Sequence, residues 1–187
     1  MKEIQHVFIL GAKGFGNYGG YETFVDKLTE AHQFQDEIKY HIACKNNGQG
    51  AMDEKLLYGA VVTGKNTFEY HNADCFKITV PDKIGAAQAI FYDCLALNKA
   101  VKICEKNRII KHPIFYILAC RIGPFIPFFI NRIRRVGGII MVNPDGHEWL
   151  RAKWSKPIRK YWKISEEKMV KNADLLICDS INIEKYI

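Results

Sequence analysis

HVFILGAKGFGNYGGYETFVDKL, residues 6–28, passes from an apolar run through five glycines in ten residues to a stretch with helical spacing. His6 to Gly11 is short and continuously apolar, as a parallel strand buried on both faces should be. From Tyr21 to Phe34 the residues Phe24, Val25, Leu28 and Ala31 step by three and four, which predicts a helix. Strand, glycine loop and helix make the opening of a βα unit.

The same alternation continues along the chain. Strands are predicted at Ile38 to Cys44, Cys75 to Val80 (stopped by Pro81), Ile114 to Cys120, Ile139 to Val142 and Ala173 to Cys178. Helices are predicted over 85–106, over Phe128 to Val136 after Pro124 and Pro127, and over Arg151 to Asn172. Asp179 to Ile187 reads as the first turns of a further helix that is cut off. Strands alternating with helices imply α/β architecture: one doubly wound, mainly parallel, Rossmann-like sheet spanning 1–187.

Composition narrows the class. With 187 residues, 48% hydrophobic and 25% charged, the chain is sized for one globular domain. Its 27 Lys and Arg against 20 Asp and Glu leave +7 at neutral pH, which favours anionic partners without choosing among them. The most apolar window, Ile114 to Ile130, carries Arg121, Pro124 and Pro127 and is a poor bilayer-spanning helix, although an interfacial surface stays open. Six cysteines with no CxxC pair, no Cys/His cluster at metal spacing and no secretory pattern ahead of them read as reduced, buried thiols of a cytoplasmic protein.

Three stretches carry chemistry. In the first, G-x-x-G-x-G-x-x-G-G follows a strand, where glycines let backbone approach a ligand and the next helix offers unpaired N–H groups to an anion; the alternative is a plain connecting turn. The spacing matches neither the Walker pattern nor the dinucleotide fingerprint. Lys45 and Asn46 follow the second strand in place of a ribose-binding carboxylate, which weakens a dehydrogenase reading and leaves an NADP form as a lesser alternative. In the second, Asn143-Pro144-Asp145-Gly146-His147-Glu148-Trp149 should sit at the same carboxyl edge, with groups suited to a sugar or an acceptor hydroxyl, or else form a capping turn. The third, RAKWSKPIRKYWK at 151–163, is either a solvated basic face with aromatic anchors in the core or a contact for lipid or another polyanion; no recognition fold accompanies it, so nucleic acid is not an expected partner.

Taken with IGPFIPFFINRIRRVGGIIMVNPDGHEWLRAKWSKPIRKYW and SEEKMVKNADLLICDSINIEKYI, these stretches resemble the N-terminal domain of bacterial rhamnosyltransferase-type glycosyltransferases, retaining enzymes with two Rossmann domains (family 4-like, GT-B). NPDG-EW-R-KW is the most specific part, and Phe15-Gly16 stands where that family often has Pro-Ala. The resemblance implies transfer of a sugar, L-rhamnose from dTDP-L-rhamnose, to a lipid-linked polysaccharide acceptor in cell-envelope or capsule assembly, at the inner face of the plasma membrane and without metal or other cofactor. It implies Gly14, Gly16, Gly19 and Gly20 at the donor diphosphate, Asn143, Asp145, His147 and Glu148 lining the acceptor cleft, and Asp145 and His147 positioning the acceptor hydroxyl in catalysis. It also implies a C-terminal donor domain absent from this chain, which would be inactive alone. A non-catalytic binding or scaffold protein of a polysaccharide assembly complex is the alternative from another class.

Overall fold

A computed structural model describes residues 3–16, 18–144 and 146–187. Eight strands form a single sheet: β1 (Gln5–Leu10), β2 (Ile38–Lys45), β3 (Val61–Gly64), β4 (Thr67–Tyr70), β5 (Ala73–Ile78), β6 (Ile114–Leu118), β7 (Ile139–Asn143) and β8 (Leu175–Leu176). The helices are α1 (Gly20–His32), α2 (Gln88–Lys106), α3 (Pro127–Arg135), α4 (Lys156–Asn172) and α5 (Ile181–Tyr186).

The strand order is β3-β4-β5-β2-β1-β6-β7-β8, parallel from β5 to β8 and antiparallel only at β3 and β4. The chain passes from β1 to β2, goes to the sheet edge at β3, comes back through β4 to β5 beside β2, crosses through α2 to β6 on the other side of β1, and works outward to β8. This is the doubly wound arrangement expected from sequence. Its direction reverses between β1 and β6, and at that switch point the loops leaving the two strands diverge and open a crevice.

The continuous apolar strands follow from burial on both faces. Along β1, Phe8 and Leu10 belong to the core under α2, α3 and α4, whereas Ile9 between them packs with Val25 of α1. Strand β6 divides likewise, Phe115 and Ile117 to one side and Tyr116 and Leu118 to the other. At the crevice Gly11 has φ 106°, and a Cβ there would collide with the carbonyl oxygen of Leu118, so the β1–β6 approach requires glycine.

Two features depart from the sequence reading. The β3–β4 hairpin adds two strands that it does not predict. The signal is present as Val61, Val62, Thr63, Thr67, Phe68 and Tyr70 around Gly64-Lys65-Asn66, but Phe68 alone among them is buried, so no apolar run stands out. The fourth helix begins at Lys156 and not at Arg151: Pro157 cannot donate an interior helical hydrogen bond and takes the first turn, after Ser155 at the N-cap. Residues Glu148–Leu150 make only a 3-10 turn.

The six cysteines are free thiols, four of them buried. Among the described residues no helix is long and apolar enough to cross a membrane.

Candidate functional site

The loop after β1 is half core and half surface. Ala12 and Phe15 are about 1% exposed; Phe15 packs edge-on to Tyr70 with centroids 5.0 Å apart, and its N–H points at Met52 Sδ at 3.2 Å. Burying Phe15 contributes about 2–3 kcal/mol and fixes the loop's first half. Gly14 is buried with it, at φ 124°, where a Cβ would press on Met52 and Cys44. Gly16 lies outside against Leu57.

The second half faces the crevice. Gly19 caps α1 without a side chain, in extended backbone, and Glu22 folds back so that Oε1 accepts the Lys13 N–H at 2.9 Å. A cleft of about 470 Å³ opens beside it, bounded by Gly11, Lys13, Gly19, Glu22, Lys45 and Arg121 among others. Gly20 instead borders a neighbouring hollow with Phe24, Asn143 and Asp179. Of the four glycines expected at a diphosphate, Gly19 and Gly20 line open space, while Gly14 and Gly16 shape the loop.

Lys45 ends β2, and its N–H donates to Lys13 O at 2.9 Å, which holds the two lysines side by side. Behind them Tyr92 Oη sits 2.6 Å from Ala12 O and 2.8 Å from Ala43 O, so one hydroxyl ties together the ends of β1 and β2. Arg121, just past β6, forms the far wall. Its Nη1 donates to Gly11 O and to Asp93 Oδ2, both at 3.0 Å. Asp93 is 1% exposed; burial raises its carboxyl pKa and Arg121 opposes the rise. The backbone around Arg121 is pinned in turn by α4: Tyr161 donates to Arg121 O at 2.8 Å, and Ser165 Oγ donates to Cys120 O and accepts from Gly123 N.

Arg121 and Ala89 are shared with a second cleft of about 290 Å³ that runs on to Pro144, Glu148, Arg151, Trp154, Trp162 and Glu166. The two loops picked out in the sequence thus open onto adjoining spaces at one sheet edge. Asn143, 4% exposed at the end of β7, donates to Asp179 Oδ1 at 2.7 Å. Asp145 lies outside the described residues. His147 has φ 56°, its N–H points to Glu166 Oε2 at 3.2 Å, and its ring lies 3.8 Å from that of Tyr186, which donates to Glu166 Oε1 at 2.6 Å. Glu148 pairs with Arg151 at 2.7 Å and Lys153 at 3.4 Å while accepting from Trp154 Nε1 at 2.9 Å.

The basic aromatic stretch divides its labour. Trp154, Tyr161 and Trp162 are half-buried and, with Ala87, Ile90 and Ile158, border an apolar groove of about 240 Å³, while Lys153, Lys156 and Lys160 are exposed.

Sequence reasoning left out Lys13, Lys45, Arg121 and Asp93 as site residues. A usable signal existed: a lysine ending a buried parallel strand stands at the edge where α/β sheets receive ligands. The partnership of Asp93 with Arg121 spans 28 residues and has no local signature.

Fold and cleft together define a doubly wound α/β domain with a cation-lined crevice at its switch point. Within that class the chain belongs to the family "Domain of unknown function (DUF1972)", which it matches over residues 4–187. Curated proteins give no match. Solved structures do, among them one given as trehalose-6-phosphate from E. coli bound with UDP-2-fluoro glucose, at 12% identity and a TM-score of 0.42, covering 97% of this chain. The chain spans 41% of that structure's length.

Proposed function

We propose that this chain is the acceptor-side domain of a sugar transferase that uses a nucleotide-sugar donor, with dTDP-L-rhamnose the expected donor and a lipid-linked saccharide the expected acceptor. The observation that carries the reading is the joining of two clefts at Arg121, one lined by the glycine loop and lysines and one by the NPDGHEW loop. A transferase must bring an anionic donor and a hydroxyl-rich acceptor to a common edge, and an open α/β sheet offers its switch point for that. Resemblance of the three sequence stretches to rhamnosyltransferase-type enzymes supports the same assignment.

In this reading the acceptor hydroxyl attacks the anomeric carbon, the bond from that carbon to the diphosphate oxygen breaks, and the hydroxyl proton passes to the departing phosphate. Gly19 and Gly20 admit the diphosphate closely. Asn143, Asp145, His147 and Glu148 orient the acceptor. A second Rossmann domain holds most of the donor, as in the enzymes this sequence resembles. The apolar groove beside Trp154 and Trp162, rimmed by exposed lysines, supports work against an anionic membrane surface that presents the lipid-linked acceptor.

The test is transfer of labelled rhamnose from dTDP-L-rhamnose into a lipid extract by the protein expressed from its complete reading frame, with UDP- and GDP-sugars in parallel. Label in the lipid fraction is expected from the dTDP donor. Another donor giving the product would replace the sugar and keep the class; no transfer from any donor, with the protein folded and floating with anionic liposomes, would favour the scaffold reading.

A further inference from the structure

Lys45 is 4% exposed, a depth at which lysines ordinarily face a carboxylate because an unpaired buried ammonium is costly. Here Nζ donates to two neutral oxygens, Gln49 O at 2.9 Å and Gln88 Oε1 at 3.0 Å. Among the described residues no carboxylate lies within the 4.0 Å of an ion pair. Burial, and then the positive charge of Lys13, hold its pKa below the ordinary lysine value, and Asp82 opposes them only in part. Lys13, exposed beside it, also has no ion pair among the described residues. The other charges of the cleft do not repair this. Arg121 is committed to Asp93, and the carboxylate of Glu22 accepts the backbone N–H of Lys13.

We propose that Lys45, with Lys13 beside it, binds a phosphoryl group in the cleft between the glycine loop and the end of β2. A phosphoryl group supplies the missing negative charge and several acceptor oxygens. Two lysines are compact point charges suited to phosphate, whereas the planar fork that grips a carboxylate in two places would be an arginine's. The proposal rests on the sugar-transfer reading only for the source of the phosphoryl group, which is either the donor's diphosphate or the phosphate that links the acceptor to its lipid.

The test is calorimetric titration of the 187-residue chain at low salt with inorganic pyrophosphate, dTDP and farnesyl diphosphate. Pyrophosphate is expected to bind the unmodified chain, about tenfold or more weakly after Lys45→Met, severalfold more weakly after Lys13→Gln, and unchanged after Lys171→Gln near the C-terminal end of α4. Lys13 is exposed, so its variant carries the test even where the Lys45 variant folds poorly. No binding by the unmodified chain, or equal weakening by Lys171→Gln, overturns the site. Loss of dTDP affinity alone in the Lys45 variant assigns the donor as source, loss of farnesyl diphosphate affinity alone assigns the acceptor, and either result upholds the site. Pyrophosphate binding in a complete protein that transfers no sugar would retire the transferase reading and leave the site; undisturbed transfer and binding after Lys45→Met would retire the site and leave the transferase.

Discussion

The glycine loop and the NPDGHEW loop leave the same edge of the sheet, and their charged groups meet different fates. Beside the first, Lys45 is buried against neutral oxygens and Lys13 stands without an ion pair among the described residues. In the second, Glu148 is shared among Arg151, Lys153 and Trp154, and His147 is packed on Tyr186, whose hydroxyl is bound to Glu166. Unmet charge is a cost that folding alone does not recover and a ligand can offset; met charge holds a loop in shape. The glycine side therefore offers unmet charge, and the described residues of the NPDGHEW side a settled scaffold of the kind that could orient an acceptor.

Four substitutions probe that contrast. On transfer itself, the largest effect is expected from Gly20→Val. A Cβ at Gly20 meets nothing within 4 Å, so the fold should change by no more than about 0.5 kcal/mol, whereas a branched side chain at the head of α1 should cut transfer in the complete enzyme about 100-fold or more. Normal turnover in the folded variant would remove the glycine side from the chemistry.

Next is Arg121→Ala, which strikes the wall common to both clefts. It strands Asp93 in the interior, and denaturant titration at neutral pH should read a loss of about 3–5 kcal/mol. Without Arg121 to oppose burial, the Asp93 pKa rises further. A carboxyl whose folded pKa lies above its unfolded one stabilises below the unfolded pKa, and that contribution is lost as pH rises through the folded value. The deficit against the unmodified protein should therefore shrink toward acid pH. A deficit independent of pH would mean that the Arg121–Asp93 pair is not what holds the wall.

Smaller effects test the scaffold. His147→Ala removes the ring contact with Tyr186 and should cost about 1 kcal/mol in thermal or denaturant unfolding. Glu148→Gln keeps an acceptor for Trp154 and loses its ion pairs with half-exposed Arg151 and Lys153, for about 0.5 kcal/mol. Neither should shift pyrophosphate affinity. A tenfold shift in either would erase the division of roles between the two loops.

Much of this organisation is legible in sequence, for identifiable reasons. The strands β1, β6 and β7 announce themselves because burial on both faces demands near-continuous apolar runs, and the five glycines mark the loop after β1 because its backbone turns sharply there. The hairpin of β3 and β4 escapes because its strands are short and largely exposed. The start of α4 is displaced from the basic and aromatic spacing because Pro157 fits only the first turn of a helix. At the candidate site, residue types pointed to the sheet edge where the two loops open, but not to Lys45 or Arg121. Lys45 is distinguished by having no carboxylate at ion-pair distance among the described residues, and Arg121 by a partner far away in sequence; both facts exist only after folding.

Phe15 has a consequence of another kind. Because its ring is buried with Tyr70 and Met52, the first half of the glycine loop is ordered when the domain folds, not when a ligand arrives. The configurational entropy of that segment is already spent, so an incoming anion would not have to order it, and a greater share of its contact energy would remain as affinity. Loosening the anchor, as in Phe15→Ala, would make recognition slower and more strongly opposed by entropy even with every lysine still in place.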